Sequence, residues 1–238
     1  MPAPETLPRI RRRLPWERIG LAALAVAAVT VGVLFVDLES HEQSEYGVRV
    51  ELQALLDSWA EAVRTGDRAA LAGIVDTGAG PELLEAEISR ARALRGVPLA
   101  EFGYELGAEP TVEVPGEVSN RFGDDPVRTL TALLRYEIDG VDEAPTRKPV
   151  TLLVVSRDDG WKIASDRPLP DSVSTTWRGP WDHGPLDVTT TATAGGRSMI
   201  LAHPDTADLA ADIADELPSA VDAVSKVWGA DWPKRSLI

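Results

Sequence analysis

The sequence predicts an α+β protein carried behind one membrane-spanning helix. Three observations predict it. An uncharged apolar run, Ile19–Val36, follows a cluster of arginines. Residues 50–94 repeat apolar side chains at helical spacing, and residues 102–164 switch to the period of two that strands show. Helices followed by consecutive antiparallel strands place the helices on one face of a curved sheet.

With 238 residues the chain makes one large domain or two small ones. It has no cysteine, which excludes a disulfide framework, thiolate zinc sites and a cysteine nucleophile. Histidines stand only at 41, 183 and 203, so chemistry that needs a histidine cluster is nearly excluded. The net charge is −14, yet residues 1–18 carry five arginines against Glu5 and Glu17. The remaining body is therefore more acidic still and repels nucleic acid, so no nucleic-acid partner is expected.

The first element is Ile19–Val36, with Thr30 its only polar residue. Eighteen helical residues span roughly 27 Å, enough for a bilayer core. Trp16 stands at the interface. Arginines precede the run, and Asp37, Glu39, Glu42 and Glu45 follow it. The positive-inside rule puts residues 1–18 in the cytoplasm and the rest outside. The lipid bilayer is thus an expected partner and the cell membrane the expected location, single-pass. A cleaved signal peptide and a buried core helix are the competing readings, but the exit Leu34-Phe35-Val36-Asp37 offers no small-residue cleavage site and the run has no polar face. Residues 37–47 are polar and acidic and read as a stalk. His41 lies there, where a mobile segment does not preorganise metal ligands.

The next elements are helices. Leu52, Leu55, Leu56, Trp59 and Val63 make one apolar stripe, and Gly66 ends that helix. Asp67 caps a second, which turns Leu71, Ile74 and Val75 inward. Gly80-Pro81 opens a third, with Leu84, Ile88 and Ala91 expected on its buried face and Gly96 as its stop. The strands come next. Phe102–Leu106 alternates, Thr111–Val114 reads as a strand between prolines, and 115–126 reads as a loop. Val127–Ile138 is the clearest strand, with Leu130, Ala132, Leu134, Tyr136 and Ile138 on one face. Residues 139–149 read as a turn, Val150–Val155 as a central strand, and Asp158-Asp159-Gly160-Trp161 as the bend of a closing hairpin.

This order resembles the nuclear-transport-factor-like, or polyketide-cyclase-like, cone fold. The carriers are the Leu52–Trp59 helix, the Gly66-Asp67 follow-on to Leu71, and the closing Asp158–Ile163 hairpin. The resemblance covers about residues 48–168, so 48–170 is expected to be a cone-fold domain. It implies a cup, which family members use for catalysis, for ligand or partner binding, or as an accessory domain. An enzyme of this kind needs a desolvated base beside a polarising donor. Asp57 is expected to face solvent, and no histidine lies between 42 and 182. No catalytic residue, cofactor or metal ligand is therefore assigned. A ligand cavity, where one exists, would be lined by Trp59, Tyr104 and Tyr136.

Residues 171–185 form a connector that its tryptophans, Trp177 and Trp181, are expected to pack. Asp182 and His183 supply at most two metal ligands. Leu186–Thr193 and Arg197–Ala202 read as a strand hairpin turned at Gly195-Gly196. A long helix follows, capped by Asp205 and carrying Leu209, Ile213, Leu217, Val221, Val224 and Trp228. Pro218 is expected to kink or split it, Gly229 to end it, and Trp232–Ile238 to start another strand.

Gly195–Leu201, the helix through Val221 and Val224, and Val227–Pro233 look like the start of gluzincin-type metallopeptidase domains, over residues 186–238. That resemblance implies zinc held by His-Glu-x-x-His. His203 is followed by Pro204 and no second histidine lies near, so none of the family's catalytic residues has a counterpart here. The expected function is a membrane-anchored, extracytoplasmic, non-catalytic accessory domain attached to a partial peptidase-like segment. That makes the chain the N-terminal part of, or a truncated relative of, a membrane metallopeptidase. The alternative is an envelope module that binds a ligand or a protein in the cone. A small cone-fold enzyme is a third reading, requiring an inward carboxylate of raised pKa. Homodimerisation and an envelope protein partner both stay open.

Overall fold

The computed structural model describes residues 45–108, 114–169, 175–229 and 231–238. The expected membrane helix at 19–36, His41 and most of the expected strand at 111–114 lie outside them. Among the described residues no helix is long and apolar enough to cross a membrane. Compactness divides the chain after Val48, and residues 49–238 form one unit.

The chain is α+β. Helix α1 runs through 45–65 and buries Leu52, Leu55, Leu56, Trp59 and Val63, the expected stripe. Gly66 ends it with φ +69°, a conformation that glycine adopts without penalty. Asp67 then caps α2 (Arg68–Ile74), its carboxylate accepting from the Ala69 and Ala70 amides. Helix α3 (Pro81–Leu94) starts with Pro81 in its first turn. Its buried face is turned slightly from the expected one. Leu83, rather than Leu84, is buried with Ile88 and Ala91, and the same face carries Glu87 and Arg90 inward.

Four strands form an antiparallel meander, β1 (Leu99–Leu106), β2 (Val127–Ile138), β3 (Thr146–Arg157) and β4 (Gly160–Ser165), curled into a half-barrel. Two expectations are corrected here. Strand β3 begins at Thr146, four residues before the apolar run, because the long β2 pairs with it out to Tyr136↔Thr146. The expected loop at 115–126 holds a short helix α4 (Gly116–Ser119) and a 3-10 turn that sends Phe122 onto Leu153, Val155 and Ala164. This second layer explains why β3 is buried on both faces from Val150 to Val155.

Gln53 of α1 closes the outer edge of β1. Its amide donates to the Tyr104 carbonyl (2.9 Å) and accepts from the Leu106 amide (2.9 Å), as a neighbouring strand would.

The second sheet pairs β5 (Asp187–Thr193) with β6 (Gly196–Ala202). Helix α5 (Ala207–Trp228) crosses it, and the chain returns beside β6 in parallel, with Met199 N–H donating to Ser236 O (2.9 Å) and Ile238 N–H to Met199 O (3.0 Å). Three expectations for α5 are corrected in whole or in part. A 3-10 turn at Pro204–Thr206 occupies the start, so Asp205 caps nothing and Thr206 takes the N-cap position. The helix is continuous through Pro218, because Ala214, Leu217 and Val221 are packed on either side of it. Of the expected stripe Leu217 and Val221 are buried and Ile213 packs beside them, but Ala210 and Ala214 complete the face, whereas Leu209, Val224 and Trp228 are exposed. Small alanines let the helix approach the sheet closely, which a ranking by bulk overlooks.

Candidate functional site

The interior of the cup is built from aromatic rings. Trp59 of α1 stacks on Tyr104 of β1, centroids 4.1 Å apart and nearly parallel. Tyr136 of β2 stacks on Trp177 of the connector at 5.5 Å. Trp181, 2% exposed, stands edge-on to Phe102, Tyr136 and Trp177 at 5.2–6.3 Å. The three residues expected to line a cavity are thus joined through the connector's own indoles. Between Trp59, Tyr104 and Trp181 about 10 Å³ of space remains, room for about one water and too little for a small-molecule ligand.

The connector reaches this position by extending the sheet. Strand β4 pairs with β3 only from Leu153 onward, leaving the β3 edge open near Thr151. Thr176 fills it: its hydroxyl accepts from the Thr151 amide (3.0 Å), and the Trp177 amide donates to the Pro149 carbonyl (2.8 Å). Gly179 follows, where a Cβ would overlap the Trp181 indole and force the ring or the backbone to move.

Behind the rings lies a buried ionic cluster. Arg90 donates to both Glu87 oxygens (2.7 and 2.8 Å), to Asp166 (3.3 Å) and to Asp182 of the connector. Trp59 Nε1 donates to Glu87 (2.7 Å), and Arg178 pairs with Asp166. Burial pushes the Glu87 carboxyl up, against the pull of Arg90 and the indole bond. Burial also opposes ionisation of Asp166, but the guanidiniums of Arg178 and Arg90 outweigh it and hold that carboxyl below its ordinary range. Burial raises the Tyr104 hydroxyl well above its usual value, so it stays a neutral phenol. Tyr136 is raised by burial as well.

Sequence reasoning missed Glu87 and Arg90. The available signal was their position: Leu83, Glu87, Arg90 and Leu94 fall on one helical stripe, so the charged pair occupies core positions. Asp57 is exposed and accepts from Gln53. His183 is exposed, and His203 Nδ1 lies 3.0 Å from the Pro185 carbonyl. Among the described residues no group of three His, Asp or Glu side chains is arranged to hold a metal ion.

Glu87 is the inward carboxylate of raised pKa that an acid–base site would need. It is 1% exposed, accepts from the Trp59 indole and is bonded by Arg90. The arrangement fixes the connector to the cup. No protein-family model matches the chain, and no curated protein matches it.

Proposed function

We propose that the domain is a non-catalytic accessory domain of a membrane-anchored, extracytoplasmic protein, and that it holds a peptidase-like β-β-α-β segment in a fixed place. The observation that carries the reading is the position of Trp181. The cup that could take a ligand is occupied by the chain's own connector, whose next residues begin β5. The buried cluster adds to this, because Asp182 and Arg178 tie the same connector to α3 and to the end of β4. The charge-flanked run at 19–36 supports the anchor, and the absence of His-Glu-x-x-His supports a segment without peptidase chemistry.

Thermal unfolding of the full-length chain with added indole tests the occupied cup. Indole is expected to leave the wild type unchanged and to stabilise Trp181→Gly, whose emptied site it fits. Saturable stabilisation of the wild type would instead favour a ligand-binding module. A zinc-supplemented peptide-cleavage assay is expected to show no activity; cleavage stopped by a chelator would overturn the non-catalytic reading.

A further inference from the structure

A groove of about 560 Å³ lies outside the cup, between α3, the end of β4, the 3-10 turn before Gly123 and the connector. That volume is in the range of small-molecule sites. Its walls are small: Ala79, Ala86, Ser89, Ala164 and Ser165 leave the space open.

The charges around the groove fall into three sets. Asp166 and Asp182 are bonded to Arg90 and Arg178, so each carboxylate already faces a guanidinium. Glu82 lies with its carboxylate against Gly80, over the first turn of its own helix. Arg121 and Arg167 are different. Both are exposed, both line the groove, and neither has an ion-pair partner among the described residues. Arg121 is held by stacking on Phe122, 5.8 Å from the ring centroid. The groove thus presents two guanidiniums without a carboxylate partner among the described residues, on a chain of net charge −14.

We infer that this groove binds a small oxyanion, a carboxylate- or phosphate-bearing solute, with Arg121 and Arg167 taking the anionic group and the alanine and serine floor taking its body. Guanidiniums match planar carboxylates and phosphate oxygens with paired N–H donors. The inference is independent of what fills the cup.

Calorimetric titration of the full-length chain tests it, with citrate in one arm and inorganic phosphate in the other. Saturable binding in either arm is expected, and the arm that binds names the source of the oxyanion. Arg121→Gln combined with Arg167→Gln is expected to weaken binding by about a hundredfold, roughly tenfold for each charge-assisted contact. Ala86→Trp, which fills the groove without changing charge, is expected to abolish it. Arg92→Gln, an exposed arginine of α3 outside the groove, is expected to bind as the wild type does. No heat in either arm overturns the inference. So does binding that the double variant and Ala86→Trp both retain, or an equal loss in Arg92→Gln, which would reveal only general attraction to positive charge.

Discussion

Arg90 of α3 and Asp182 of the connector lie 92 positions apart in sequence, yet the guanidinium Nε donates directly to the carboxylate. The same guanidinium serves Glu87 and Asp166, so one side chain neutralises acids from a helix, a strand end and a linker. A charge removed from water is tolerated only with partners of this kind. The cluster therefore fixes where the connector must lie.

Arg90→Met should be the most damaging exchange in the cluster. It leaves three carboxylates buried or nearly so with only Arg178 beside them. A loss of about 3–5 kcal/mol is expected from denaturant unfolding. Arg90→Met combined with Glu87→Met, which removes both halves of the tightest pair, should recover part of that loss. Equal stability of the single variant and the wild type would show the cluster to be energetically idle.

Gly179→Ala should destabilise the chain although it adds a single methyl group. The new Cβ overlaps the Trp181 indole, so the ring or the backbone must move. A cost of about 1–3 kcal/mol is expected, together with a changed near-ultraviolet dichroism from the displaced tryptophan. Gly116→Ala, where a Cβ meets nothing within 4 Å, is the comparison and should leave that spectrum unaltered.

Gln53→Ala should uncover the edge of β1. The Tyr104 carbonyl and Leu106 amide each lose a partner, at about 1–2 kcal/mol together. Hydrogen exchange at the Leu106 amide should accelerate while exchange in β3 does not. Retained protection at Leu106 would mean that another group covers it.

The Asp76–Arg157 pair sets a limit on acid stability. Arg157 bonds both Asp76 oxygens (2.7 and 2.9 Å) and is the main cause holding that carboxyl below its ordinary value; burial opposes it. A carboxyl depressed in the folded state stabilises fully above its unfolded pKa, near 3.9. That contribution is lost as pH falls through the folded pKa. Asp76→Asn should therefore lower the midpoint of thermal unfolding at pH 7, and its midpoint should fall less than the wild type's between pH 5 and 3. Parallel curves for the two proteins would remove Asp76 from the acid response.

Much of the architecture is legible in the sequence because its signals are local. The α1 stripe ending at Gly66, the Asp67 cap and the Gly80-Pro81 start each depend on a few adjacent residues, and each appears where the spacing puts it. Strand β2 matches its alternation from Val127 to Ile138. The connector's tryptophans read as packing residues, but the surface they pack on is not legible, since Phe102 and Tyr136 are far away in sequence. Glu87 and Arg90 escape notice because charge suggests solvent, although their spacing places them between Leu83 and Leu94. On α5 the opposite error arises: the size of Leu209, Val224 and Trp228 suggests an inward face, and the small Ala210 and Ala214 take the contact.

The entry of Trp181 into the cup has a mechanical consequence. A pull on the C-terminal strand would load the contacts of Trp181 with Phe102, Tyr136 and Trp177. Arg235, whose guanidinium Nε donates to the Val141 carbonyl beyond β2, adds a second rivet near the far end of the chain. The two sheets are thus braced like a hinge with its pin driven home, and strain at one is felt at the other.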